Sequence, residues 1–362
     1  MIMSSFAHLG LRDWPFRVVP DDESVKSWSG RAAEKATMYE ILRSASRIPT
    51  SQVTLLWAWY GSGKSHTLRH LAWRCKSRAE KTSLTATYSV FPAQIKDTLD
   101  LHKCIVASMD FCPLLQATNT QLTRWLKETV HESWRSNIGN AINYLAHGGE
   151  EAKGSIRAWL AGDRVHLNIL RSYNIDRRIE SMEDAIEVLS ALIALLRAAE
   201  DTKGFILMID EFQEIGKLPV RKLNEINAFL HKLFDANPSS FQLVLSFTTG
   251  DKDTVAHLLG EALRNRVSNT LTLPEFDASE ARAFLRELIT LHSTAQQSCV
   301  CLLDDSIDAI VGHVQTNNSQ LIPRELIIAA DRVLRRADVD IEDNKIRAVD
   351  SAYAQAVLGK PS

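Results

Sequence analysis

Residues 52–58, QVTLLWA, lead without interruption into WYGSGK and then into SHTLRHLAWRC. A compact apolar run, a turn holding two glycines and a lysine, then apolar residues at helical spacing: no other stretch restricts the fold as tightly. The first run is rich in β-formers and lacks a polar face, as a buried parallel strand requires. Beyond the turn, Leu68, Leu71 and Ala72 recur at helical spacing. A strand entering a helix through such a turn fits the phosphate-binding pattern G-x-x-x-x-G-K-[ST], with Ala58 in place of the first glycine. Glycines let the backbone turn its N–H groups around phosphate oxygens, and a helix N-terminus adds a favourable partial charge. Ala58, Trp59, Tyr60, Gly61, Ser62, Gly63, Lys64, Ser65 and His66 are therefore the candidate nucleotide-binding residues. Lys64 is expected to reach the β- and γ-phosphates of ATP, and the Ser65 hydroxyl to bind Mg²⁺. Trp59 and Tyr60 fill variable positions, where packing is expected in preference to adenine stacking.

GFILMIDEF, residues 204–212, supplies the second half of a site. It is a continuous apolar strand ending in two carboxylates, which places Asp210 at the C-terminal end of the strand, where open α/β sheets bind ligands. Asp210 is expected to hold the Mg²⁺ and Glu211 to orient and polarise a water for attack on the γ-phosphate. Lys64 and Asp210 lie much further apart than the roughly 30 residues of a plain strand–helix–strand crossover. Extra elements must intervene.

SLTATYSV (83–90) reads as a second strand and residues 92–109 as a helix opened by Pro92. Residues 118–202 read as a polar helical insertion. Its last helix carries Met182, Ile186, Leu189, Ile193 and Leu196 on one stripe, and Trp125, Trp134 and Trp159 are expected packing anchors. Its most basic stretch, 171–178, is read as solvated surface in preference to a DNA contact. A helix over 221–235, a strand over 240–250, a helix into 261–267 and a strand over 269–276 complete the alternation. Strands alternating with helices imply a three-layer α/β/α parallel sheet. Beyond Pro274 only helices are expected, the first opened by Asp277 and Glu280 in a capping box. The expected division is an α/β domain over 1–275, containing the insertion, and an all-helical lid over 276–362.

Of the 362 residues 45% are apolar and 24% charged, the balance of a soluble globular protein. The formal net charge of −2 confines any nucleic-acid contact to a local patch. The N-terminus lacks a signal-peptide pattern, and the most apolar stretch, 185–196, is shorter than the ~20 residues that span a bilayer. Cysteines at 75, 104, 112, 299 and 301 form no disulfide framework, and Cys299 and Cys301 find no second metal-ligating pair. Reduced thiols, no membrane and a cytoplasmic location are the expectation.

With these residues in this order, the chain resembles the AAA+ ATPases over most of its length. WSGRAAE (28–34) is similar to the aromatic-x-Gly-Arg-x-x-Glu box of the initiator, transposition-helper and STAND branches. LRNRV falls where the family carries its arginine finger, and IPRELI looks like the sensor-2 motif of its lid. The resemblance implies an ATPase that binds Mg·ATP at subunit interfaces of a homo-oligomer. Gly30 and Arg31 would help hold the base; Arg266 or Arg264 would reach a neighbouring copy's site. Arg324 would contact the γ-phosphate, and Thr249 or Thr248 would serve as sensor 1, without the family's usual asparagine. The winged-helix domain that follows the lid in initiators is not expected in the residues after the lid's helices. The insertion and residues 9–21 are similar to bacterial ATPases of transposition or phage-defence systems, including the BREX type. The implied function is action on DNA or a DNA-bound partner. A different class of function, an ATP-dependent scaffold that recruits an effector protein with little turnover, also fits.

Overall fold

The computed structural model describes residues 6–19, 21–77, 83–248, 255, 257–294, 302–318 and 320–359. Packing divides the chain into two compact units, one comprising 36–57 and 71–272, the other 1–35, 58–70 and 273–362.

The larger unit holds the sheet. Its strands are β1 (Gln52–Ala58), β2 (Leu84–Val90), β3 (Gly204–Asp210), β4 (Phe241–Thr248) and β5 (Val267–Thr272). They form one five-stranded parallel sheet in the order β2-β3-β4-β1-β5. β3 is buried along its whole length, and its register sets Leu84 beside Gly204 and Val90 beside Asp210. A side chain at Gly204 has no room, since a Cβ there would lie 2.8 Å from Leu84 Cδ2 and 2.9 Å from the Ser240 carbonyl. Phe205, Leu207 and Ile209 pack with Leu189, Leu192 and Ile193 of the helix Met182–Glu200. Ile206 and Met208, on the opposite face by strand alternation, are also buried, so helices cover both sides. β5 is an edge strand and is the most exposed of the five.

The insertion is helical, running Asn119–Thr129, Glu132–His147, Glu150–Leu160, Leu167–Ser172 and Met182–Glu200. Capping boxes at Thr118/Gln121 and Ser181/Asp184 start its first and last helices. Trp125, Trp134 and Trp159 are all buried, as expected. The basic stretch is less solvated than its composition suggests. Arg177 lies 4.0 Å over the Trp134 ring and pairs with Asp184, while Arg178 Nε donates to the Val165 carbonyl.

Several boundaries differ from the sequence expectation. The helix expected from Pro92 begins at Thr98, because the extended Asp97 accepts the Leu99 N–H and caps it there. β3 stops at Asp210 rather than 212, because Glu211 adopts a left-handed conformation. β5 starts at Val267, two residues before the expected strand, and ends at Thr272.

The smaller unit is built from helices Ala278–His292, Asp304–Asn318, Pro323–Glu342 and Ser351–Leu358. The Asp277/Glu280 capping box starts the first. Its core also takes in Leu9, Leu11 and Phe16, packed with Phe284, Leu326 and Val333. No sequence pattern foretold that union of the two ends of the chain. Among the described residues no helix is long and apolar enough to cross a membrane.

Candidate nucleotide site

The turn after β1 belongs to the smaller unit. Gly61 and Gly63 take φ of +82° and +91°, which L side chains rarely adopt, so glycine is required at both. The helix Lys64–Lys76 follows at once, its first turn closed by Thr67 N–H donating to the Gly63 carbonyl at 2.9 Å. Lys64 is buried, and its Nζ donates to the carbonyls of Ala58 and Trp59 at 3.1 and 3.0 Å. A Cβ at Gly63 would meet nothing within 4 Å. The buried Ser62 Oγ has no hydrogen-bond partner among the described residues. An open glycine face, an orphaned buried hydroxyl and a lysine at a helix start fit a phosphate chain.

Gly30 and Arg31 precede the helix Ala32–Arg47, both at positive φ, +67° and +56°. The buried Arg31 reaches the turn. Its Nη1 donates to the Pro274 carbonyl at 2.7 Å and its Nη2 to the Ser62 carbonyl at 3.1 Å. The guanidinium carbon lies 4.7 Å from the Phe276 ring centroid. Burial pulls the Arg31 pKa down to about 10, partly opposed by Glu34 and Glu280. Gly30 N–H donates to Glu287 at 2.8 Å, which ties the segment to Ala278–His292. His66 Nε2 donates to the Ser27 carbonyl at 2.8 Å, and burial lowers its pKa. The arrangement gives Arg31 and His66 the part of braces behind the turn.

The expectation that Trp59 and Tyr60 pack is not met: they are 51% and 63% exposed. Tyr60 instead receives a hydrogen bond of 2.9 Å from Arg324 Nη1. Arg324 is the second residue of the helix Pro323–Glu342, and its N–H donates to the Gly61 carbonyl at 3.2 Å.

The carboxylate pair expected at 210–211 lies in the larger unit. Asp210 is 1% exposed. Its Oδ1 accepts the Glu211 N–H at 2.9 Å and its Oδ2 the Tyr88 hydroxyl at 3.0 Å. Glu211 follows at φ +56°. Its carboxylate accepts a short hydrogen bond from Gln213 Nε2. Gln213 Oε1 in turn accepts the Thr248 N–H at 2.8 Å. Thr248 Oγ1 is buried without a partner among the described residues. Thr249 lies outside the described residues. Gln213 and Tyr88, which bond to the two carboxylates, were missed in the sequence, since neither belongs to a motif.

Arg264 and Arg266 sit at the exposed end of the short helix Glu261–Arg264, just before β5. Arg266 pairs with Asp235 at 3.1 Å. Arg264 lines a cavity of about 220 Å³ with Leu55, Trp57, Val255, Leu259, Val267 and Thr270.

The sheet order, the parallel strands and the strand–turn–helix after β1 are those of the AAA+ P-loop ATPases. Among solved structures, the chain is similar to the Orc1 protein of Aeropyrum pernix, determined in complex with DNA. That match has 14% identity and a TM-score of 0.52, covering 95% of this chain and 68% of that one. The ORC2 protein of Aeropyrum pernix, in ADPNP–ADP complexes, matches at 12% identity and a TM-score of 0.57, covering 94% and 72%. No protein-family model matches the sequence, and no curated protein does.

Proposed function

We propose that the chain binds and hydrolyses Mg·ATP as a homo-oligomer acting on DNA or on a DNA-bound partner. The observation that carries this reading is the turn at 58–66, with its open glycine face, buried lysine and orphaned Ser62 hydroxyl on an AAA+ fold. In this reading the turn's N–H groups and Lys64 bind the β- and γ-phosphates. Ser65 and Asp210 would hold Mg²⁺, which would supply charge neutralisation on the phosphate oxygens. Glu211 orients a water and accepts its proton as the oxygen attacks the γ-phosphorus; the bond to the β–γ bridging oxygen breaks and ADP leaves. Arg324, and Arg266 or Arg264 from a neighbouring copy, offset the charge that develops. Thr248 or Thr249 reads the γ-phosphate, and Gly30 and Arg31 brace the base side.

Support for DNA comes from the Orc1 likeness, a protein solved on DNA. The setting we favour, phage defence or transposition, rests on the sequence resemblance of the insertion and residues 9–21. One observation favours a second reading, a slow switch that recruits an effector protein: the Glu211 carboxylate is already engaged by Gln213.

Turnover with and without duplex DNA tests both readings. Lys64→Ala is expected to lose ATP binding, and Glu211→Gln to keep it while kcat falls about 100-fold or more. A wild-type rate no higher than that of Glu211→Gln decides for the switch.

A further inference from the structure

Tyr60 is 63% exposed, so burial of apolar surface does not account for an aromatic side chain in the turn. Its ring and its hydroxyl both engage one cation. Arg324 Nη1 donates to the hydroxyl at 2.9 Å, and the guanidinium carbon lies 5.0 Å from the ring centroid. A backbone tie joins the same two segments, Arg324 N–H donating to the Gly61 carbonyl at 3.2 Å. The approach is close: a Cβ at Gly61 would lie 3.0 Å from both Arg324 Cβ and Ile322 Cδ1. Three ties of different physical origin therefore converge on the start of the helix Pro323–Glu342.

A guanidinium carries five N–H donors in a rigid fork, and the tyrosine hydroxyl takes up one of them. The remainder of the fork can still serve an anionic oxygen. A cation already confined beside a phosphate-binding turn has less side-chain entropy to lose when that oxygen arrives.

We infer that Tyr60 is a positioning residue, which holds Arg324 beside the turn so that its guanidinium meets the terminal phosphate of a nucleoside triphosphate. The inference rests on the nucleotide reading above and deepens it, because it makes Tyr60 a determinant of triphosphate over diphosphate preference. A diphosphate leaves the clamped arginine with nothing to meet. A triphosphate draws it, and with it the helix Pro323–Glu342, through the tie to Gly61.

Equilibrium binding of a fluorescent, slowly hydrolysed ATP analogue and of its ADP counterpart, both with Mg²⁺, tests the clamp on the full chain. Tyr60→Ala is expected to weaken the triphosphate about 10-fold and the diphosphate less than about 2-fold. Tyr60→Phe keeps the ring and loses the hydroxyl contact, so an effect of about 3-fold is expected. The double variant Tyr60→Ala, Arg324→Ala is expected to bind no more weakly than Arg324→Ala alone. Melting temperatures should be unmoved, because the side chain is exposed. Equal weakening of both nucleotides, or additive losses in the double variant, would overturn the clamp. So would Tyr60→Ala binding like the wild type while the wild type binds both nucleotides, an outcome that leaves the nucleotide reading intact. A wild-type chain that binds neither nucleotide sinks that reading and the clamp together.

Discussion

Glu211 holds φ at +56°, a conformation a non-glycine residue adopts only when its surroundings impose it. Two anchors impose it here. Its N–H is fixed to Asp210 Oδ1, and its carboxylate to Gln213. Because Gln213 also accepts from Thr248 N–H, one amide spans the acid at the end of β3 and the end of β4. Removing that amide takes away the hold on the carboxylate and leaves the turn at 58–66 unaltered. Gln213→Ala is therefore expected to lower kcat about 10-fold while nucleotide affinity stays within about 2-fold, read from steady-state turnover beside equilibrium binding. Arg31 makes a different demand. Its two N–H groups reach carbonyls of Pro274 and Ser62, and its plane faces Phe276, a geometry that a lysine ammonium does not reproduce. With its pKa at about 10 it stays protonated at neutral pH, so the bonds persist there. Arg31→Lys should lower stability by about 1–3 kcal/mol, measurable by urea unfolding.

At the scale of elements, the helix Thr98–Ala107 carries a pH sensor of stability. His102, on the helix Thr98–Ala107, is 0% exposed and its Nε2 donates to the Leu160 carbonyl at 2.7 Å. Burial pulls its pKa down to about 4. Below about pH 6.5 the unfolded chain binds a proton at His102 that the folded chain refuses until pH about 4. Stability is thus lost as pH falls through that window, by about 2 kcal/mol at pH 5 and about 3 kcal/mol in all. His102→Gln, whose amide also donates, should lack this loss in urea unfolding at pH 7.5 and 5. None of this was legible in the sequence, where His102 is one polar residue on a helix. β1, β3 and the stripe of Met182–Glu200 were legible, because runs apolar on two faces or at one spacing admit few other structures. Boundaries were lost where a single hydrogen bond or dihedral decided them, at Asp97 and Glu211. The turn at 58–66 and the acid pair at 210–211 stood out for the same reason that their braces did not: motifs are local. Arg324 meets Tyr60 from 264 positions away, and no local spacing records such a contact.

For the whole molecule, the proposed ATPase reading turns on whether hydrolysis depends on assembly. Arg266 lies before the exposed edge strand β5, and its side chain is 48% exposed and, among the described residues, pairs with the similarly exposed Asp235. Surface pairs of that kind are worth about 0–1 kcal/mol, so a stronger anion presented by a second copy can capture the arginine. An arginine supplied in trans to a transferring phosphoryl group is worth about 10³–10⁵ in rate. A subunit lacking Arg266 then keeps an intact turn and acid pair but cannot serve its neighbour, whereas a Lys64→Ala subunit keeps the arginine and cannot bind ATP. Each variant alone should hydrolyse ATP at least about 100-fold more slowly than the wild type. Mixed, they should recover a substantial fraction of its rate, since every contact between unlike subunits can unite an intact turn with an intact arginine. The recovery should grow with total protein concentration, as formation of the shared site requires. If the mixture hydrolyses no faster than the two variants assayed separately, while Arg264→Ala mixed with Lys64→Ala does, the finger is Arg264. If neither mixture recovers activity, hydrolysis is completed within a single chain.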